Sequence, residues 1–219
     1  MPKNEIKLTA IGADLIKNYN FAMTRSNIYQ GNITESINNE ILYDYHIEID
    51  LNPILNYKLP TIMELDNMIE RSPRVHVYSS TGHLCLCHPE EEYIILKRYE
   101  KSIVGFIEDY VKAYFRAYTL FELNAVWPTK EYSHSLEVAN IELIEQYLKI
   151  KVKLSTIRNL LRLINNNKSY CYCDSGKKIT NCHSKNLEEF FELFRTKYLC
   201  KKFIVRVQKQ IMNRKKIKF

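Results

Sequence analysis

The sequence predicts an α+β fold followed by a helical extension stapled by a metal ion. Three observations lead there. Residues 41–49 alternate apolar and polar side chains, the period of a half-buried strand. From residue 103 the apolar positions recur at helical spacing. Cys171, Cys173, Cys182 and His183 then crowd into one short segment. Strands first and helices later is the order of an α+β chain.

Taken in order, Lys7 to Tyr19 carries Leu8, Ile11, Leu15 and Ile16, an apolar stripe that predicts a helix. Two segments follow, Asn27 to Thr34 and Glu40 to Leu51. In the second, Ile41, Tyr43, Tyr45, Ile47 and Ile49 alternate with Leu42, Asp44, His46, Glu48 and Asp50. Pro53 and Pro60 bound an irregular passage, and Thr61 to Leu65 reads as a further short strand. Arg74 to Tyr78 reads as another, closed by a Ser79-Ser80-Thr81-Gly82 turn. From Glu100 the period changes: Ile103, Ile107, Tyr110, Val111, Tyr114 and Tyr118 share one helical face, in a helix that ends before Trp127-Pro128. Ser135 to Lys149 and Leu154 to Ile164 are predicted helices, and Asn165-Asn166-Asn167 is a polar break. Asn186 to Met212 reads as one long basic helix with Leu187, Phe190, Phe191 and Phe194 toward a core.

The chain has 219 residues, 46% hydrophobic and 26% charged, which suits one core with an appendage or two small domains. No apolar run approaches the roughly 18 residues that span a bilayer, so no membrane partner is expected. Met1 to Thr9 mixes Lys3, Glu5 and Lys7 without an apolar segment, so no export signal and a cytoplasmic location are expected. In that reducing compartment clustered cysteines read as catalytic or metal-binding. With only 5 glycines, neither a G-x-G-x-x-G nor a P-loop is present, which argues against nucleotide activation by this chain. Residues 1–148 hold 13 Lys/Arg and 21 Asp/Glu, a net of −8, whereas 149–219 hold 19 and 4, a net of +15. The asymmetry predicts two units, 1–148 and 149–219, with different partners. The basic one fits nucleic acid or an acidic protein surface.

Cys171-Tyr172-Cys173, then eight residues later Cys182-His183, offer three thiolates and an imidazole, a set that suits tetrahedral Zn²⁺. Ser175-Gly176 supplies a tight turn, and Lys177 and Lys178 offset the thiolate charge. This segment resembles the SEC-C zinc motif, C-x-C, a Ser-Gly-Lys-Lys stretch, then C-C or C-H. The resemblance implies binding to ribosomes, nucleic acid or protein. With every position filled by protein, such a zinc is structural and leaves no open site for chemistry.

Gly82-His83-Leu84-Cys85-Leu86-Cys87 follows a strand and turn and precedes His88-Pro89-Glu90. A cysteine just after a turn acts as a nucleophile where its thiolate is stabilised, and His76, His83 and His88 are candidates to supply a positive field or accept a proton. Cys-x-Cys flanked by histidines equally suits a metal or, through Cys87, a resolving thiol.

Read together, the 40–51 strand, the Pro53 to Pro60 passage, Gly82-x-Leu84-Cys85-Leu86 and Trp127-Pro128 resemble the ubiquitin-conjugating-enzyme fold, an antiparallel meander with flanking helices. The closer resemblance is to the bacterial ubiquitin-conjugating-like proteins of CBASS antiphage operons. It rests on Arg71-Ser72-Pro73-Arg74, His76, Gly82 to Leu86, Pro89 with Glu90 or Glu91, and Trp127-Pro128 to Glu131 and His134. It implies that Cys85 carries the C-terminal carbonyl of a protein as a thioester, which an amine then attacks. The carried protein it implies is a cGAS-like nucleotidyltransferase encoded in the same operon. The family's His-Pro-Asn triplet, ten to eight residues before the cysteine, is here Val75-His76-Val77. The Asn that would stabilise the oxyanion therefore has no counterpart, and His76, His83 or backbone N–H groups are left as donors. Two other functions share these residues. One is a zinc-containing binding module with an inactive front domain, and the other a cysteine isopeptidase that passes the acyl group from Cys85 to water.

Overall fold

The alternation at 41–49 does form a strand, and that strand is central to a sheet. The computed structural model describes residues 3–37, 40–128, 132–133, 135–165 and 170–216. β1 (Ala22–Arg25), β2 (Ile28–Ile37), β3 (Glu40–Asp50) and β4 (Thr61–Glu64) make an antiparallel meander in the order β1-β2-β3-β4. Tyr43, Tyr45, Ile47 and Ile49 face the core, and the residues between them face outward or sit at its margin. Ile41 breaks the pattern. The β2–β3 register shifts between Glu35 and Ser36, and Ile41, beyond that irregularity, is exposed. β1 is absent from the sequence prediction because all four of its residues are exposed, which leaves no apolar alternation to read.

α1 (Lys3–Tyr19) buries Leu8, Ile11 and Leu15, while Ile16, the fourth member of the predicted stripe, is half exposed. Gly12 permits the close approach to the sheet, since a Cβ there would collide with the Tyr29 hydroxyl. α2 (Glu92–Arg98) is a further helix without a counterpart in the sequence prediction. The helix predicted from residue 100 begins later, as α3 (Val104–Phe106), and passes through a π-helical stretch (Ile107–Val111) into α4 (Lys112–Asn124). The π stretch widens the turn and shifts the buried stripe. Phe106 and Phe115, both outside the predicted face, become fully buried, and Phe115 stacks on Tyr45 with ring centroids 4.7 Å apart. The strand predicted over Arg74 to Tyr78 is instead a 3-10 turn (Pro73–Val75) leading into a short two-stranded ribbon. Pro73 opens the turn and Ser72 caps it, its hydroxyl accepting from the Arg74 N–H at 3.2 Å.

Glu35 on β2 links the sheet to α4. Its carboxylate receives two hydrogen bonds from Arg116, at 2.7 and 3.1 Å, and one from the Tyr43 hydroxyl at 2.7 Å. The Arg116 guanidinium holds the Glu35 carboxyl below the usual carboxylate range, against the opposing effect of burial. A carboxyl lowered in the folded state stabilises the fold above its unfolded pKa and loses that contribution as pH falls through the folded value. Arg116→Met is therefore expected to raise the pH midpoint of acid unfolding, read by circular dichroism between roughly pH 2 and 5. An unchanged midpoint would show that this pair contributes nothing.

The chain divides into two compact units, Met1–Lys130 and Glu131–Phe219, rather than at the 148/149 change of charge. The physical reason is α5 (Leu136–Leu148): its Leu143, Ile144 and Leu148 are fully buried among the helices of the second unit. That unit continues with α6 (Leu154–Asn165), α7 (Ser184–Glu192) and α8 (Lys197–Lys216). The single basic helix predicted over Asn186 to Met212 is thus two helices. Thr196 starts the second, its hydroxyl accepting from the Leu199 N–H at 3.2 Å. The break lets α7 pack on α5 and α8 on α6, with Phe190, Phe194 and Phe203 clustered at the join. Of the predicted polar break, Asn165 ends α6, whereas Asn166 and Asn167 lie outside the described residues.

Candidate active site and metal centre

A ribbon of two short segments builds the first site. The Ser79 to Gly82 turn folds the chain back, with Gly82 at φ +76° donating its N–H to the Tyr78 carbonyl at 2.7 Å. Across it Tyr78 N–H bonds the His83 carbonyl at 2.9 Å, Val77 pairs with Leu84, and Cys85 N–H bonds the His76 carbonyl at 2.7 Å. Leu84 N–H also reaches the Ile62 carbonyl of β4 at 2.8 Å, so the ribbon hangs from the sheet. Because side chains alternate, Val77 and Leu84 enter the core and Tyr78, His83 and Cys85 take the opposite side, whereas His76, at φ +56°, ends the 3-10 turn outside that alternation. Tyr114 braces the entry, its hydroxyl donating to the Val75 carbonyl at 2.7 Å. Trp127 packs on His76 with centroids 4.6 Å apart.

Cys85 is half-buried. Burial pushes its thiol up, the Tyr78 hydroxyl hydrogen-bonds it and pulls it down, and the negative charge of Glu92 pushes it up again, for a net rise. None of these influences is an imidazole. His76 lies against Trp127, and His83 stands on the ribbon beside the turn. His88 is buried and serves the architecture. Its Nδ1 accepts from the Glu90 N–H at 3.1 Å, and its backbone N–H is received by the Glu91 carboxylate at 3.3 Å, closing the turn that leads into α2. Cys87 offers its carbonyl to the Cys85 thiol at 3.9 Å, and burial raises the Cys87 thiol well above its ordinary value. Neither cysteine belongs to a metal-ligating group among the described residues. Nor does Cys85 line the cavity of about 180 Å³ formed by residues such as Ile54, Tyr57 and Tyr93. Cys85 keeps part of its surface exposed, and Tyr78 beside it on the ribbon is exposed.

Tyr78 and Glu92 are site residues that the sequence prediction lacks. Pairing 76–78 against 83–85 through the turn would have found the tyrosine. Glu92 comes to Cys85 on α2 and has no local signal. Of the resemblance's remaining residues, Arg71 packs its guanidinium against Gly82, and Arg74 lies over the Phe121 ring at 5.1 Å. Glu131 and His134 lie outside the described residues.

In the second unit Cys171, Cys173, Cys182 and His183 converge, with one donor atom from each within 4.8 Å of the others, a group that can hold a metal ion. Cys173 Sγ and Cys182 Sγ are 3.6 Å apart, and His183 Nδ1 lies 3.3 Å from Cys171 Sγ and 3.0 Å from Cys182 Sγ. The sulfur separation is far beyond a disulfide. It is close to the edge of about 3.8 Å that tetrahedral geometry requires for metal–sulfur bonds of about 2.3 Å. Burial opposes a charged Cys173, but hydrogen bonds from Ser175 and the neighbouring thiols outweigh it and bring that thiol down to about 6. Burial pushes Cys171 up to about 12. Tyr172, between two of the donors, is fully buried and donates its hydroxyl to the Leu148 carbonyl at 3.2 Å. Asp174, at φ +61°, accepts from Ser155 at 2.6 Å and Asn159 at 2.7 Å, fastening the turn to α6.

No helix among the described residues is long and apolar enough to cross a membrane. No curated protein and no solved structure matches the sequence. A family model does: that of the type II CBASS E2 proteins matches residues 13–135, a stretch that includes the sheet, the ribbon and Cys85. The match covers more than half of the chain and coincides with the fold and the thiol-bearing ribbon, so the chain belongs to the type II CBASS E2 family, whose role is antiphage defence with ubiquitin-like conjugation as its chemistry.

Proposed function

We propose that the chain carries the C-terminal acyl group of a partner protein as a thioester on Cys85 and passes it to an amine, and that the carried protein is a cGAS-like nucleotidyltransferase. The observation that supports this most is the placing of Cys85. It sits half-buried inside the family-matched region, beside Tyr78, whose hydroxyl favours its thiolate, and it is not a member of the metal-ligating cluster. In the loading step Cys85 Sγ attacks the carbonyl carbon of an acyl thioester on a partner's cysteine. The new S–C bond forms, the old one breaks, and the Cys85 proton goes to the departing thiolate. In the transfer step an amine attacks, the Sγ–C bond breaks, and one amine proton returns to Cys85. Of the candidate donors, His83 lies two residues before Cys85, and His76 is joined to it through its carbonyl, which accepts the Cys85 N–H; Cys87 lies two residues on. Zn²⁺ is the metal best matched to Cys171, Cys173, Cys182 and His183, and its part is structural. The exposed lysines of α8 suit an acidic protein surface or nucleic acid.

Intact mass under non-reducing conditions, after co-expression with the neighbouring genes, tests the reading. Wild type is expected to carry a thiol-labile adduct with the mass of the carried protein, and Cys85→Ser to carry none or a base-labile ester. Absence of an adduct from both forms would sink it, and an adduct that decays to water without an added amine would point to an isopeptidase.

A further inference from the structure

We propose that the Tyr78 hydroxyl is the hydrogen-bond donor of the acyl-transfer site, holding the Cys85 sulfur as it becomes a thiolate before attack and again as it leaves. This deepens the thioester reading and rests on it.

The ribbon sets the geometry. Tyr78 and Cys85 lie on the same face, diagonally across the antiparallel pair 77–84, a distance that a tyrosine spans and a shorter polar side chain does not. From that position the Tyr78 hydroxyl favours the Cys85 thiolate, and Cys85 in turn raises the tyrosine. Its backbone is fixed on both sides, the N–H to His83 and the carbonyl to Gly82 and Thr81. The residue is nonetheless 46% exposed, so it lies on the open side from which a carbonyl must approach. Donors aimed at developing negative charge lower the barrier most when they are already in place.

The other groups around Cys85 do not fill this role. Glu92 on α2 is negative and opposes thiolate formation. The Tyr114 hydroxyl on α4 is committed to the Val75 carbonyl. Cys87 contributes an acceptor, its carbonyl. His76 is stacked on Trp127, and His83 stands beside the turn, paired with Met63 of β4. Tyr78 keeps its own proton throughout, since burial, the bond to Cys85 and nearby negative charge all raise its pKa. It acts as a donor and not as a base.

The test uses the full chain as wild type, Tyr78→Phe and Glu92→Gln. Cys85 alkylation by iodoacetamide is followed by peptide mass across pH 6 to 11, beside adduct formation by intact mass. Tyr78→Phe is expected to move the alkylation midpoint up and slow alkylation at pH 8 about tenfold, the worth of a hydrogen bond to a charged sulfur. Glu92→Gln moves it down. A Tyr78→Phe midpoint equal to that of wild type overturns the assignment, whatever Glu92→Gln does. Alkylation needs no carried protein, so the two readings fail separately. An adduct on wild type with no shift in Tyr78→Phe removes the tyrosine alone. A shift with no adduct removes the transfer chemistry and with it the catalytic part of the assignment.

Discussion

Cys171→Ser is expected to release the bound metal and unfold the second compact unit, while the first unit's unfolding transition persists. Cys171 is 1% exposed, and Tyr172 beside it is among the most deeply buried side chains of the protein, its hydroxyl on the end of α5. The segment around them has little regular structure: one bridge, Tyr170 to Lys178, and one 3-10 turn. A metal held by this cluster would supply what the backbone does not. Structural Zn²⁺ contributes about 10–16 kcal/mol to small folding units at neutral pH, against a net stability of about 5–15 kcal/mol for a whole domain. Losing one thiolate ligand thus threatens the entire unit. Metal content by atomic emission, paired with calorimetry, reads both effects. Cys200→Ala is the control, a buried thiol outside the ligand set that should keep its metal. Full retention of metal and of both transitions in Cys171→Ser would falsify the ligand assignment.

Phe115→Ala should destabilise the first unit by about 3–5 kcal/mol, the usual cost of removing a buried phenylalanine ring. The corresponding fall in melting temperature is roughly 10 °C or more. The ring is fully buried, stacks on Tyr45 of β3, lies 5.9 Å from Tyr43 and meets Tyr114 edge-on at 5.3 Å. It therefore fastens α4 to the sheet and sits beside the residue whose hydroxyl braces the 3-10 turn before the ribbon. Calorimetry measures the loss, and iodoacetamide labelling of Cys85 in the still-folded fraction should speed up as the burial that raises its thiol is relaxed. A melting point within about 2 °C of wild type would mean that the aromatic stack does not hold the helix.

Local periodicity made much of this architecture readable from residue types alone. Tyr43 to Ile49 announced β3, and the stripe from Ile103 to Tyr118 announced the long helical stretch, because both bury one face against one partner. The donor cluster was readable because metal chemistry demands particular residue types at short spacing. What stayed hidden was set by tertiary contact. β1 buries nothing, α2 begins where His88 closes a turn with Glu90 and Glu91, and the π stretch moves Phe106 and Phe115 inward. The break before α8 hinges on one threonine hydroxyl in a segment of continuous helical periodicity. At the site, the sequence drew attention to histidines because they are unusual. The side chain that favours the Cys85 thiolate is a tyrosine in a chain with sixteen, and composition gives it no distinction.

The two faces of the 76–78 and 83–85 ribbon have a consequence for how the protein tolerates change. Val77 and Leu84 are buried in the core, whereas Tyr78, His83 and Cys85 keep part of their surface exposed. Substitutions on the exposed side are thereby expected to weigh less on folding than those at Val77 and Leu84. Cys85→Ser is therefore expected to leave the first unit folded, so that on the proposed thioester reading such a variant would persist as an intact decoy beside the working copy.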